Sequence, residues 1–437
     1  MDQIETASPS TVALQAIARL TRSSEARDLP RLLQALWSIG SVGSPEDHTP
    51  LDEAALGVSF LPDRLNEADW RQLLALAQVH GMAPLVFWRL ANAGLLATVP
   101  APIVAAFKDE YLQTLINNRR MQTVFREVVA ALGAAGVAVM PLKGLALAHR
   151  YYENLALRPM TDMDLLVRRE DVSRAASTLR GLGFSAADGM GTPSGFYSMT
   201  SAVVVYARPR SLTIEIHWEL FGRHAYRPSL PAAVAWARAQ RISLFEQQVR
   251  YLQARDELWY LCIHAAVEHR LERLIWLVDI ARLVVSLPPD WDWQVFARET
   301  AAAGVALPVA AALGYGYAYL RLPLPVEVLE RLNEAADAPT ERATCAAAQT
   351  DLMSAEWIQM AATSAHSVKE KAIVLRGVLA PRRATLSALY GHDAERLRDL
   401  PRAYARHWRR TVAPTIRALS SQGATPETRP RPADGLR

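Results

Sequence analysis

The sequence predicts an α+β chain in which a small mixed-sheet core is flanked by N-terminal helices and a C-terminal helical domain. Three observations carry this. Strand-type apolar runs cluster between Val137 and Leu220, three-and-four spacing of large apolar residues dominates on either side, and glycines or prolines stand at each change of pattern. Residues 1–60 read as a loosely structured lead-in and linker, 61–136 as a helical segment, 137–228 as the α/β core, 229–420 as the helical domain and 421–437 as a disordered tail.

From Glu67, ADWRQLLALAQVHGM places Trp70, Leu73, Leu74 and Ala77 on one helical face, and Gly81 ends it. The next stretch, up to Gly133 and Gly136, reads as two helices or one long bent one. Val137 to Leu142 is short and apolar; Lys143-Gly144 follows, then LALAHRYYEN, giving strand, glycine turn and helix. Arg158-Pro159 breaks the chain before TDMDLLV, where polar and apolar residues alternate, and REDVSRAASTLRGLGF reads as an acid-capped helix. AVVVYA and LTIEIHWEL flank a turn at RPRS and signal a hairpin. From about Pro231 strand signals cease, and ARDELWYLCIHAAVEHRLERLIWLVDIARLVVSL repeats helical spacing.

The bulk properties exclude several classes. A net charge of +4 over 437 residues is too small for a surface that coats duplex nucleic acid, so no stable nucleic-acid binding is expected. Cys262 and Cys345 lack CxxC spacing, which argues against a disulfide framework or structural zinc and fits a reducing cytoplasm. MDQIETASPSTVALQ has early acids and no basic-then-apolar run, unlike a secretory signal. Ala301 to Leu320 is uncharged and long enough to span a bilayer, but its alanines, glycines and Pro308 fit a buried helix pair, so no membrane span is expected.

Alternation along a strand sends Asp162 and Asp164 to one side, with Met163 and Leu165 on the other. Two carboxylates at one point repel unless one binds a proton or a hard divalent cation accepts both. In LTIEIHWEL the same rule groups Thr213, Glu215, His217 and Glu219, so Glu215 offers a third carboxylate with Glu219 behind it. Lys143 and Gly144 open a helix, where free N–H groups and the helix dipole favour an anion. Lys occurs only at 108, 143, 369 and 371, which sets Lys143 apart in an arginine-rich chain.

A glycine turn before a helix, then RPMTDMDLLV, then a strand acid resembles the DNA polymerase β-type nucleotidyltransferase superfamily. PLKGLALAHRYYENLALRPMTDMDLLV, EIHWEL and HAAVEHRLERLIWLVDIARL together resemble, more narrowly, an uncharacterised bacterial nucleotidyltransferase-like family, and are also similar to abortive-infection toxin nucleotidyltransferases. The likeness covers residues 65–300 or so. It implies two-metal transfer of a nucleoside monophosphate from a nucleoside triphosphate, with Mg2+ (or Mn2+) as cofactor; the acceptor is not identified by it, and the lack of a broad basic groove in the sequence favours a small-molecule or peptide acceptor. Asp162, Asp164 and Glu215 would be the catalytic and metal-holding residues, Glu215 helping to activate the acceptor. Lys143 and Gly144 would hold the triphosphate. Two departures stand out: Gly144-Leu145 where Gly-Ser or Gly-Gly is usual, and Glu215 where Asp is commoner. They leave room for a nucleotide-binding scaffold without turnover; a toxin-type enzyme acting on RNA is the third reading.

Other residues stay open at this level. Arg158 either neutralises phosphate or pairs with Asp162, and His217 either lines the pocket or is structural. His264 and His269 lie five apart, about 140° around a regular helix, which argues against a shared zinc. His269-Arg270 either reaches toward the nucleotide, with Asp279 fixing it, or belongs to structural paired charges on the helices. PRAYARHWRRTVAPTIR reads as a solvated terminal helix.

Overall fold

The computed structural model describes residues 65–186, 202–208, 212–222, 224–320, 322–348, 379 and 400–412. The lead-in expected over 1–60 and the tail expected over 421–437 lie outside the described residues. Described residues up to 348 belong to one compact unit, and those from 379 onward to a second.

Helix α1 (Glu67–Val79) begins with a reciprocal cap: the Asn66 side chain accepts from the Ala68 and Asp69 N–H groups at 2.8 and 3.1 Å, and the Asp69 carboxylate accepts the Asn66 N–H at 2.9 Å. Such a cap stabilises a helix by about 1 kcal/mol. Trp70, Leu73 and Ala77 are buried as their spacing predicts, while Leu74 is half-buried. After α2 (Ala83–Asn92), the stretch expected as two helices or a bent one is the single 34-residue helix α3 (Ala101–Ala134). Pro102 sits in its first turn, where a missing N–H costs little, and nothing breaks the run before Gly133.

The core sheet contains β1 (Met140–Leu142), β2 (Asp162–Leu166), β3 (Ser185–Ala186), β4 (Val203–Ala207) and β5 (Thr213–His217) in the order β1-β2-β5-β4-β3. It is mixed: β2 and β5 run parallel, and the other neighbours are antiparallel. Helix α4 (Gly144–Tyr151) connects β1 toward β2, and α5 (Val172–Gly181) follows β2. The β4–β5 pairing is the expected hairpin, with Ile214 and Ile216 buried.

Strand structure does not cease at Pro231. After α6 (Ala232–Arg238) come β6 (Gln240–Leu244) and β7 (Gln247–Tyr251), an antiparallel hairpin. Its turn residues, Phe245 and Glu246, have φ of 50° and 66°, a left-handed geometry normally announced by Asn or Gly. The hairpin reaches the core sheet, since the Arg250 N–H donates to Val139 O at 3.0 Å.

The helical half comprises α7 (Ala254–Ile263), α8 (Leu274–Val285), α9 (Trp293–Ala302), α10 (Ala306–Leu320), α11 (Val326–Ala336) and α12 (Pro339–Ala348). The uncharged stretch 301–320 is the end of α9, a turn at Gly304 and the buried α10. Among the described residues no helix is long and apolar enough to cross a membrane. One hydrophobic core runs from Trp70 and Phe107 through Leu166 to Trp259, Leu277 and Leu313, joining the N-terminal helices, sheet and helical half. Within it, the buried Glu257 accepts hydrogen bonds from the Tyr151 hydroxyl at 2.8 Å and from the Tyr251 hydroxyl, tying α4, β7 and α7 together. Burial pushes its carboxyl up to about 7, against the pull of the two tyrosine donors.

In the second unit, α13 (Leu400–His407) continues as a wider turn through Val412 and leaves Arg402, Arg406, Arg409 and Trp408 exposed.

Candidate active site

β1 ends at Leu142 and α4 begins at Gly144, so Lys143 alone makes the turn, with φ 46° and ψ −147°. That region is nearly glycine-only and costs a side-chain-bearing residue on the order of 1–3 kcal/mol. Gly144 follows at φ 36°, and the Ala146 and Leu147 N–H groups donate back to Lys143 O at 3.0 and 3.2 Å. The expected hydroxyl position is taken by Leu145, which is buried in the core.

β2 and β5 set the acids in register: Asp162 stands opposite Thr213, and Asp164 opposite Glu215. Asp164 is buried and Asp162 half-buried. Burial raises the Asp162 carboxyl, and the neighbouring charges of Asp164 and Glu215 add to it, more than Lys143 and Arg158 relieve. Burial acts on Asp164 the same way, but Lys143 and His217 outweigh it and hold this carboxyl below its usual range. The Lys143 Nζ is 3.3 Å from Asp164 Oδ1, and His217 Nε2 is 3.0 Å from the same oxygen and 3.3 Å from Glu215 Oε2. Burial opposes protonation of His217, yet its hydrogen bonds with Asp164 and Glu215 push its pKa up to about 9. At neutral pH His217 is therefore a cation held by the acids. Glu219 lies past the end of β5, near Arg227, and outside this cluster.

Asp164, Glu215 and His217 each offer a donor atom, and these atoms lie within 4.8 Å of one another. The sequence groups Asp162, Asp164 and Glu215 instead. A hard divalent cation prefers carboxylate oxygen, so Asp164 and Glu215 are the donors of this group that it would favour. Burial, and after it the charges of Asp164 and Glu215, raise the Asp162 carboxyl, and a cation beside these acids would favour its ionised form, so the carboxylates fit magnesium or manganese.

Arg158 pairs neither with Asp162 nor through a loose surface contact. Its Nε and terminal nitrogen grip Asp279 on α8 at 3.0 and 2.8 Å, and the Tyr152 hydroxyl donates to the same carboxylate at 2.6 Å. Asp279 is thus committed to Arg158 and does not fix His269, contrary to expectation. Arg158 is buried, and the carboxylate beside it outweighs desolvation and raises its pKa, so it remains a cation on the cleft wall.

The two helical-domain histidines do meet. α7 widens at His264–Glu268 into a π turn in which the His269 N–H donates to His264 O, five residues back, at 3.2 Å. The extra residue per turn cancels the 100° step assumed for a regular helix, bringing the two Nε2 atoms to 3.1 Å. His264 Nε2 also lies 3.1 Å from the Lys143 Nζ. Burial and then the Lys143 charge hold both histidines below the usual range, so they face the site neutral. Trp276 stacks on His269 with ring centroids 4.2 Å apart.

These groups border a cleft of about 390 Å³. Its lining takes in Lys143, Gly144, Arg158, Asp162, Asp164 and His269, six of the residues named from sequence, but not Glu215 or His217. It also includes His264, considered from sequence only as a zinc ligand, Arg273 and Trp276, which lie within the HAAVEHRLERLIWLVDIARL likeness without a role assigned there, and residues of α3.

A glycine turn from strand to helix, two aspartates on the next strand and a third acid on its parallel neighbour are the arrangement that the nucleotidyltransferase resemblance implies. The family described as uncharacterised nucleotidyltransferase matches residues 66–321, more than half of the chain. The chain belongs to that family. No curated protein matches it.

Proposed function

We propose that the protein moves a nucleoside monophosphate from a nucleoside triphosphate onto a small-molecule or peptide acceptor, in a metal-dependent reaction at the Asp162–Asp164–Glu215 cluster. One observation carries this: Asp164 and Glu215 stand side by side in register, with Asp162 on the cleft wall together with the Lys143–Gly144 turn. In such a transfer an acceptor oxygen or nitrogen attacks the α-phosphorus, the bond to pyrophosphate breaks, and the acceptor proton passes to a carboxylate.

Asp162, Asp164 and Glu215 would hold magnesium or manganese, and the bound ions would supply Lewis-acid stabilisation of the charge developing on phosphate. The other roles belong to side chains. Half-buried Lys143 and buried Arg158 attract the triphosphate as cations, and the Gly144 end of α4 presents N–H groups to it. His217 orients Asp164 and Glu215, and His269 faces the nucleotide as a neutral donor or acceptor. With His264 beside it, Lys143 has a second partner when a cation claims Asp164.

A second reading, nucleotide binding without turnover, is favoured by Leu145, whose burial removes the usual hydroxyl from the phosphate turn. The experiment that separates the two incubates the protein with each α-labelled triphosphate, magnesium or manganese, and a cell extract. Pyrophosphate release and label on small molecules or peptides, both lost in Asp164→Asn, are expected. Tight triphosphate binding with no release would replace the first reading by the second. Label appearing on RNA would transfer the activity to a toxin-type enzyme.

A further inference from the structure

The core-facing stripe of α3 changes character where it borders the cleft. Ile103 and Phe107 before, and Met121, Phe125, Val128 and Leu132 after, are buried and apolar. Between them, at the same helical spacing, stand Glu110, Gln113, Thr114, Asn117 and Asn118, all of which line the cleft. Two turns of the stripe have become polar: Thr114 and Asn118 are buried, Glu110 is half-buried, and Gln113 and Asn117 are exposed.

Asn118 sharpens the point. Its Nδ2 donates to Leu155 O at 2.5 Å and Arg158 O at 2.9 Å, and because both partners are carbonyls the amide cannot be turned round. Its Oδ1 is therefore left as an acceptor, buried and without a partner, on a residue with 0% exposure. Glu110 is a second acceptor, oriented by a hydrogen bond from Gln78 Nε2 at 2.8 Å. Gln113 and Asn117 add carboxamides with both donor and acceptor ends. In the same cleft the half-buried Trp276 presents a flat indole ring, stacked on His269 at an interplanar angle of 24° and with the Arg273 guanidinium 5.9 Å from its centroid. The cationic groups, Lys143, Arg158 and Arg273, belong to the turn, the β2 approach and the start of α8, not to α3.

We infer that the polar face of α3 is a nucleobase-recognition wall, that Trp276 is its stacking surface, and that it takes bases carrying an exocyclic amine (adenine, cytosine or guanine) and rejects uracil. The inference rests on the nucleotide reading above and adds the part of the ligand that reading leaves unspecified. An aromatic face combined with carboxamide and carboxylate edges is the chemistry that holds a flat heterocycle by stacking and edge hydrogen bonds. Two acceptors without ligand-side donors would be left unpaired against uracil's carbonyl-rich edge, which is how a polar site rejects an analogue.

The test is equilibrium binding by calorimetry of the full chain, with magnesium, to ATP, CTP, GTP, UTP and inorganic tripolyphosphate. Wild type, Trp276→Leu and Glu110→Gln are compared; Glu110 is half-buried and the exchange keeps its shape and the oxygen that accepts from Gln78, so it spares the core. UTP is expected to bind about tenfold weaker than the other three, one lost edge pair being enough for that ratio. Trp276→Leu should weaken ATP, CTP and GTP about tenfold relative to tripolyphosphate. In Glu110→Gln, whose carboxamide can donate to a uracil carbonyl, the four nucleotides should converge to within about twofold.

Tripolyphosphate binding as tightly as ATP, or UTP binding best, would overturn the inference and leave the phosphate site standing. So would variants that keep the nucleotide ranking but lose label transfer, because the wall would then belong to the acceptor. If neither tripolyphosphate nor any nucleotide binds, the nucleotide reading falls, and the recognition wall with it.

Discussion

Arg158, buried, and Lys143, half-buried, are both cations on the cleft wall, each facing a buried aspartate, yet their pairs are built differently. Asp279 receives Arg158 on both oxygens and Tyr152 on one, across the join between the sheet and α8. Asp164 receives Lys143 and His217 on a single oxygen, Oδ1, at 3.3 and 3.0 Å, and Glu215 crowds the same neighbourhood. The first arrangement is saturated and suits a permanent fastening. The second has partners in reserve, with His264 beside Lys143 and Glu215 beside His217, so its contacts can be exchanged without stranding a charge.

The largest effect that would sharpen this contrast is on transfer. Asp164→Asn should lower label transfer on the order of 1000-fold, several kcal/mol of charge stabilisation, with the circular-dichroism spectrum unchanged. Next is stability: Asp279→Asn strands Arg158 and should cost about 3–5 kcal/mol, read as a lower urea midpoint. Were Asp279→Asn to spare the midpoint and abolish transfer, the two pairs would have to trade roles.

Smaller effects lie in pH dependence. Glu257 keeps its proton in the folded state up to about 7 against a reference of 4.5, so the unfolded chain ionises first and wild-type stability should fall as pH rises across that interval. In Glu257→Gln the fall should vanish from the urea-midpoint profile. A change of similar size belongs to His217, whose folded pKa is raised from 6.5 to about 9. Its stabilising contribution is complete below 6.5 and lost as pH rises to about 9. With chelator present, His217→Gln should flatten the profile over that window; an unchanged slope would deny His217 its place among the acids.

What the sequence made legible was local and periodic. Asp162 and Asp164 could be assigned to one face because a strand alternates, and Glu215 followed by the same rule on β5. The parallel register that sets Glu215 opposite Asp164 is a property of the sheet and had no local mark. His264 and His269 were separated by assuming 100° per residue, and the π turn that unites them comes from one shifted backbone hydrogen bond, for which no residue type is diagnostic. Arg158 and Asp279 are partners 121 residues apart, beyond any spacing argument. The β6–β7 hairpin escaped notice because Phe245-Glu246 stands where Asn-Gly would have announced the turn. Phe245 repays that irregularity through its ring contacts, 6.0 Å from Phe125 and 4.5 Å from His149 between centroids. On α3 a signal did exist: five polar residues replacing apolar ones in an otherwise continuous core stripe.

Lys143 occupies a backbone geometry that glycine would adopt with less strain, φ 46° at the hinge between β1 and α4. Relaxation was always one substitution away, and it would have removed the ammonium that balances Asp164. The fold thus carries a standing opposition between rest and readiness at a single residue, held in place by the buried neighbours that leave the chain no easier path.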